Sequence, residues 1–246
     1  MSGHSKWSTI KRKKEATDGA RAKVFTKIGR EIMVAVKEGG ADPNSNSKLR
    51  DLISKAKSNN VPNDNIERVI KKAAGEGDKT NYEENVYEGY GPGGVAVIVE
   101  CLTDNKNRTA ADVRHFFDKF GGNMGTSGCV SFMFSTKGMI IVDSEGVDEE
   151  KIMEDAFDLG ASDLSSEDGA FEVTTEPADF SVVREGLEAK GYKLLSAEIE
   201  QIPSTYTALT DEELIKKMNL LLEHLEDNDD VQNVYHNWEM PEEEEE

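Results

Sequence analysis

The hydrophobic pattern of this chain changes its period near residue 80, and that change constrains the possible fold more than any other feature. Before it, apolar residues recur three and four positions apart over 19–37, again after Ser47, and again after Asp64. This spacing places them on one face of a helix. Three short amphipathic helices can bury their apolar faces only against one another, so residues 1–78 are predicted to form a basic three-helix bundle. Ser47 is the predicted cap of the second helix, and Asp64 with Glu67 forms a capping-box pattern for the third.

After residue 80 the pattern becomes that of a mixed α/β structure. Residues 86–90 and 95–102 predict two strands around a glycine-rich turn, followed by a helix over 109–120 and a strand over 129–134. Residues 132–203 then repeat the order β-α-β-β-α-β, which is the ferredoxin-like arrangement. Thr210 with Glu213 forms another capping box, which opens a last helix before a strand over 231–238. These two elements are too few for a domain, so we expect them to return to the sheet of residues 84–130.

The predicted fold class is therefore multidomain α+β, with an N-terminal three-helix bundle followed by two α/β sandwich domains, at least one of them ferredoxin-like. The expected divisions are a basic helical domain at 1–78, an α/β domain built from 79–131 plus 205–240, a ferredoxin-like domain at 132–204, and an acidic tail at 241–246. The tail contains five glutamates, and we expect self-repulsion to keep it disordered.

Charge is distributed unevenly along the chain. The formal net charge is −20, yet residues 1–75 hold 17 Lys and Arg against 8 Asp and Glu, and the remainder has a net charge of −29. Such asymmetry indicates a nucleic-acid or membrane surface at the basic end. Cations near phosphates release counterions, which supplies affinity without sequence preference. The predicted nucleic-acid contacts are Lys6, Trp7, Lys11, Arg12, Lys13, Lys14, Lys23, Lys27 and Arg30. Trp7 can either stack on a base or pack on the bundle, and the sequence leaves both alternatives open.

Other motifs give weaker indications. Residues 89–94 match G-x-G-x-x-G, but a dinucleotide site requires a helix after the glycines, and here a strand is predicted, which favours a tight turn. Lys106 and Arg108 enter a predicted helix and are possible phosphate contacts, because helix N-termini attract anions. The entrance to this helix offers Asn107 or Thr109 as a cap.

The sequence offers no constellation for catalysis or metal binding. Cys101 and Cys129 form no CxxC motif, the four histidines lack ligand spacing, and no nucleophile–base signature is present. We therefore expect no enzymatic activity, no metal, no cofactor and no small-molecule substrate.

A membrane span needs about 18 apolar residues, and no stretch approaches that length. The N-terminus has no secretory pattern, so the expected location is the cytoplasm, with no membrane partner.

Several segments resemble the YebC/PmpR family, and the likeness extends over nearly the whole chain. The segments that carry it are 3–7, 59–66, 87–96, 100–105, 107–109, 121–123 and Gly128. Met124 and Cys129 depart from the family's usual Leu and Ser. The resemblance implies three domains, a cytoplasmic protein without a cofactor, and a DNA-binding transcriptional regulator. Other members, including a mitochondrial relative, are translation factors. The expected function is therefore a nucleic-acid-binding regulator of gene expression, with a ribosome-associated translation factor that contacts ribosomal RNA through the same basic face as the alternative.

Overall fold

The computed structural model describes residues 18–75, 80–167 and 169–240 and begins with a helical bundle. Its helices are α1 (Asp18–Gly39), α2 (Ser47–Ser58) and α3 (Asn63–Ala74), and α1 packs against both of the others. Their apolar faces share one core, formed by Ile28, Ile32, Met33, Ala35, Val36, Leu49, Ala56, Ile66 and Ala73. The prediction of a three-helix bundle is confirmed.

The cap of α2 is Asn46, one residue before the predicted Ser47. Its Oδ1 accepts the backbone N–H of Leu49 at 3.0 Å, and its amide donates to the carbonyls of Ala35 and Gly40, both at 2.8 Å. An amide carries both a donor and an acceptor, whereas a serine hydroxyl has only one hydrogen to donate. Asn46 therefore holds the end of α1 and the start of α2 together.

The start of α3 also differs from the prediction. The helix begins at Asn63 after Pro62, and no side chain caps it, so the capping box of Asp64 and Glu67 was wrong. Proline presets a backbone angle suited to a helix start, which lets this helix begin without a side-chain cap.

Gly29 lies inside α1 and offers a test of how this helix packs. A Cβ at this position would meet Cγ2 of Val69 at 3.8 Å, which is ordinary van der Waals contact. Glycine in a helix interior costs about 0.5–1 kcal/mol relative to alanine. We expect Gly29→Ala to raise the free energy of unfolding by that amount in urea denaturation. Gly89→Ala is the contrasting variant, because its Cβ would lie 2.5 Å from the carbonyl of Asn123 and should destabilise. A loss of stability in Gly29→Ala would contradict the packing described for α1.

The remaining elements form two four-stranded antiparallel sheets with their helices, and a parallel pair of short strands. In chain order they are β1 (Glu83–Tyr90), β2 (Ala96–Thr103), α4 (Lys106–Lys119), β3 (Asn123–Met124), β4 (Phe134–Asp143), α5 (Glu149–Leu159), β5 (Asp163–Glu167), β6 (Ala170–Thr175), α6 (Phe180–Ala189), β7 (Leu194–Pro203), β8 (Thr207–Ala208), α7 (Glu212–Asp227), β9 (Val231–His236) and β10 (Trp238–Glu239). The parallel pair is β8 with β10.

The middle sheet has the order β3-β1-β2-β9, with α4 and α7 contributing to its core. Its strand β9 comes from the end of the chain and pairs with β2, as the sequence predicted. In the turn between β1 and β2, Gly91 N–H donates to the carbonyl of Val95 at 2.7 Å, and Gly93 and Gly94 have φ of 69° and 81°. The glycines therefore serve a tight turn that contains a short 3-10 helix, Pro92–Gly94, and the predicted strand follows it as β2.

The C-terminal sheet has the order β5-β6-β4-β7, and α5 and α6 pack on one of its faces. This is the ferredoxin-like topology that the element order predicted. The chain thus has the predicted α+β class. We propose to retain the predicted domain limits of 1–78, 79–131 with 205–240, and 132–204.

Three local predictions are corrected. The segment predicted as a strand over 129–134 contains a short 3-10 helix, Ser131–Met133, and β4 starts only at Phe134. The helix predicted from Thr109 begins at Lys106, because Asn105 Oδ1 caps it by accepting Arg108 N–H at 3.1 Å. The last helix is capped by Asp211 instead of Thr210. A side-chain acceptor adjacent to the first helical residue decides the two helix boundaries.

Along β7, Leu195, Ala197 and Ile199 alternate with Ser196, Glu198 and Glu200, a pattern that predicts a buried Ile199 and an exposed Glu200. Ile199 is instead 45% exposed, and Glu200 is only 5% exposed. The apolar face of β7 extends beyond the covering helices at Ile199. The opposite face is covered by the rest of the protein, since α2 packs against this strand.

Candidate nucleic-acid interface

The predicted basic arm lies outside the described residues. It comprises Lys6, Trp7, Lys11, Arg12, Lys13 and Lys14, and their contact with nucleic acid stays a prediction.

The three predicted cations of α1 are engaged by the C-terminal part of the chain. Lys23 Nζ lies 2.7 Å from Asp227 Oδ1, and Lys27 Nζ donates to the carbonyl of Glu226 at 2.7 Å. Arg30 Nη1 donates to the carbonyl of Asp229 at 2.7 Å. The spacing along α1 predicts that these cations lie opposite its apolar face. In the structure this basic face packs against residues 226–230, although the Lys23 side chain stays 42% exposed, and its contact with phosphate stays a prediction.

Asp230 is the centre of this contact. Its carboxylate accepts from Arg30 at 2.9 Å, from Arg108 at 2.6 Å, and from the hydroxyls of Thr103 and Thr109 at 3.1 and 2.8 Å. The residue is only 3% exposed. Burial alone would raise the pKa of this carboxyl, but the hydrogen bonds from Arg108, Thr109, Arg30 and Thr103 outweigh it and hold the pKa below its usual value. Two guanidinium groups and two hydroxyls therefore keep Asp230 ionised inside the interface.

The possible phosphate contacts at the start of α4 have different surroundings. Arg108 is engaged by Asp230 and by Asp104 Oδ1 at 3.0 Å, although its side chain remains 47% exposed. Lys106 is exposed at the first residue of the helix. Arg108 thus has a structural role that the sequence did not indicate, and phosphate binding by this pair stays a prediction.

A second set of cations binds α2 to the C-terminal sheet. Lys55 Nζ lies 3.2 Å from Glu31 and 3.4 Å from Glu198, and all three side chains are largely buried. Burial would lower the pKa of Lys55, but the carboxylates of Glu198 and Glu31 outweigh it and raise the pKa above its usual value. Arg184, only 2% exposed, donates to Asp51 Oδ1 at 2.8 Å. Part of the positive charge of the bundle is therefore used to hold the parts of the chain together.

Several exposed cations of the bundle lie at the end of α2 and along α3, namely Lys57, Arg68, Lys71 and Lys72. Lys37 and Lys48 are exposed as well, but they bond to the carbonyl of Thr80 and to Glu38 and Glu84. Lys71 is 79% exposed and lies 3.6 Å from Glu67, a surface pair that contributes little to stability. Sequence reasoning missed this set, although the spacing of Arg68, Lys71 and Lys72 shows that they share one face of a helix.

Among the residues that the structure describes, every helix is too short or too polar to span a bilayer. The same residues contain no group of three or more His, Cys, Asp or Glu side chains placed to hold a metal ion.

The structure defines a class of protein: a basic helical bundle that is joined by buried ion pairs to two antiparallel α/β units. Comparison with known proteins identifies the family within this class. Residues 5–76 match the model of the TACO1/YebC protein N-terminal domain, and residues 82–238 match that of the TACO1/YebC second and third domain. The chain belongs to the TACO1/YebC family.

Individual relatives agree over the full length. Proteins from Ruminiclostridium cellulolyticum and Acetivibrio thermocellus are each 63% identical. The first alignment covers 100% of both chains, and the second covers 97% of this chain and 99% of the relative. Both carry the name "Probable transcriptional regulatory protein". A crystal structure of a conserved hypothetical protein from Aquifex aeolicus is 46% identical, with a TM-score of 0.82, and covers 92% of this chain and 93% of its own.

Proposed function

We propose that this protein is a nucleic-acid-binding regulator of gene expression, acting as a DNA-binding regulator of transcription. The observation that carries the proposal is the exposure of three cations of the helical bundle, Lys57 on α2 and Arg68 and Lys71 on α3, in a chain with a net charge of −20. In such a chain an exposed basic surface gives a polyanion one favourable place to bind. The predicted arm at residues 6–14 would add cations to the same part of the chain. The names of the relatives support a regulatory role.

The structure changes which residues are proposed to contact phosphate. Lys57, Arg68 and Lys71 join the arm as the principal contacts. Lys23, Lys27 and Arg30 are proposed to act mainly by fixing the bundle against residues 226–230. Lys106 remains a proposed contact at the start of α4, where a helix N-terminus favours an anion.

Replacing Lys57, Arg68 and Lys71 together with alanine tests the proposal. Each lost phosphate contact should lower the slope of log affinity against log salt by about 0.9 on duplex DNA. We expect the triple variant to bind at least tenfold more weakly near 100 mM salt, measured by fluorescence anisotropy. Arg114, Lys151 and Lys216 are also exposed. Their triple alanine variant changes the net charge equally and is the matched control. Equal losses in the two variants would show a general charge effect and contradict the assigned surface.

The alternative, a translation factor that contacts ribosomal RNA, is favoured by one observation. The longest helix of the bundle, α1, turns its basic face toward residues 226–230, where it is not available to enter a DNA groove. The same triple variant separates the alternatives. Binding to ribosomes that resists DNase and is lost in the variant supports the translation factor, whereas preference for one duplex sequence over another supports the transcription regulator.

A further inference from the structure

Phe132 is an exposed aromatic side chain in the glycine-rich segment between the two sheets. It is 76% exposed, the highest value among the large hydrophobic residues that the structure shows at the surface. A phenylalanine left in water gives up the free energy of burial, so such exposure at a defined position indicates a contact with a partner.

The exposure of Phe132 does not come from a loose loop. The carboxylate of Glu88 accepts the backbone N–H groups of Gly128, Val130 and Ser131 at 2.7, 2.9 and 2.8 Å. On the other side of Phe132, the carbonyl of Met133 accepts from both the backbone N–H and the hydroxyl of Ser204, at 2.8 and 2.9 Å. The backbone that carries the ring is therefore held on both sides before any partner arrives, which lowers the entropic cost of binding.

The surroundings of this ring along the chain are neutral. Residues 120–136 contain no Asp, Glu, Lys or Arg, although charged residues are 32% of the chain. A contact here removes no charged side chain of this segment from water, and removing a charge from water is the costly part of forming an interface. Tyr90, 38% exposed, donates its hydroxyl to the carbonyl of Cys129 at 3.2 Å and places a second aromatic ring beside the same segment.

The backbone next to these rings is also open. Gly121 and Gly128 have φ of 84° and 87°, and a Cβ at either position would meet nothing within 4 Å. A partner can therefore approach the main chain closely at both points. The N–H groups of both glycines are already bonded, to Asp118 and Glu88, so this main chain offers space for a flat ligand and not free donors.

We propose that Phe132 stacks on an unpaired nucleobase. The inference rests on the proposed nucleic-acid function and adds a second contact point to it. A nucleobase presents a neutral π face that aromatic side chains bind with little sequence preference. A second copy of the chain is the competing occupant, and the experiment below distinguishes the two.

The test uses the full-length chain and a single-stranded oligonucleotide that carries 5-iodouracil, prepared once as RNA and once as DNA. Irradiation should crosslink the base to Phe132, and mass spectrometry should locate the adduct there. Phe132→Ala should weaken binding about tenfold without changing its salt dependence, because a stacked base is lost and no phosphate contact is. Phe132→Tyr should retain binding, whereas Phe132→Leu should behave like alanine. Phe157→Ala, which removes a 45% exposed aromatic residue from α5, is the matched control and should bind normally.

Different failures have different meanings. Wild-type affinity and unchanged crosslinking in Phe132→Ala would overturn the stacking proposal alone. Full binding by Phe132→Leu would show that the contact needs apolar bulk, as a protein pocket does, and would also overturn it. A wild-type dimer that Phe132→Ala dissociates in sedimentation would assign the ring to a second copy. A wild-type chain that binds no nucleic acid, single- or double-stranded, would overturn the proposed function and the stacking with it.

Discussion

Replacing Asp230 with alanine is expected to lower the free energy of unfolding by about 3–5 kcal/mol, the range typical of a buried ion pair that loses one partner. The variant leaves the guanidinium groups of Arg30 and Arg108 without their shared carboxylate at 2.9 and 2.6 Å. It also removes the acceptor of two buried hydroxyls, those of Thr103 and Thr109. The cost is large because two buried hydroxyls and the largely buried guanidinium of Arg30 lose their acceptor. Arg108 contributes less, because its side chain is 47% exposed and stays paired with Asp104.

The measurement is urea denaturation followed by far-UV circular dichroism. Asp227→Ala is the control, since Asp227 also pairs with a cation of α1, but the side chains of this pair are 42% and 64% exposed. We expect Asp227→Ala to cost less than about 1 kcal/mol, as exposed ion pairs usually do. A loss below about 1 kcal/mol in Asp230→Ala would contradict the central role assigned to this carboxylate.

Replacing Glu88 with alanine is expected to cost about 2–3 kcal/mol. Three backbone N–H groups lose their acceptor. Val130 is fully buried, so water cannot take the place of the carboxylate as the acceptor of its N–H group. The loss should also free the segment that carries Phe132, so the same variant should weaken single-strand binding. Hydrogen exchange at residues 128–131 measures the local effect, and Glu84→Ala, on the same strand but with a side chain that is 70% exposed, is the control. Unchanged protection at 128–131 would contradict the proposed restraint.

The same carboxylate predicts a dependence of stability on pH. Burial alone would raise the pKa of Glu88, but the N–H groups of Gly128, Val130 and Ser131 outweigh it and hold the pKa below the ordinary value of 4.5. A carboxyl whose pKa is lower in the folded state stabilises the fold fully above its unfolded pKa. That contribution is lost as the pH falls through the folded pKa. Glu88→Gln should therefore reduce the steepness of acid unfolding below about pH 4.5 and leave the pH dependence near neutrality unchanged.

The order of elements could be predicted because the information is local. Helical spacing in α1 and alternation in β2 are set by neighbouring residues, and so are the glycines at 93–94 that turn one strand into the next. Helix starts were less accurate, because Asn46 and Asn105 compete with adjacent Ser47 and Asn107 as caps. The choice between such acceptors depends on the backbone path into the helix.

The candidate site was harder to predict because its contacts are distant in the sequence. A cation on α1 attracts a phosphate or a carboxylate equally well, and nothing near Arg30 shows that Asp230 will meet it. The prediction of a strand before β4 was wrong for a similar reason. Val130, Phe132 and Phe134 have the composition of a strand, but Glu88 takes up the N–H groups that a strand would use for pairing.

The late position of β9 in the sequence determines the order in which the two sheets can assemble during synthesis. Ribosomes add about 5–20 residues per second, so β2, complete at Thr103, waits on the order of 10 s for residues 231–236 to emerge and complete the middle sheet. The C-terminal sheet has all its strands by residue 203 and can assemble first. The delay is longer for Arg30, because 200 residues separate it from Asp230. Nascent chains are thus expected to hold a folded ferredoxin-like unit beside an unfinished middle sheet until the last strand leaves the exit tunnel.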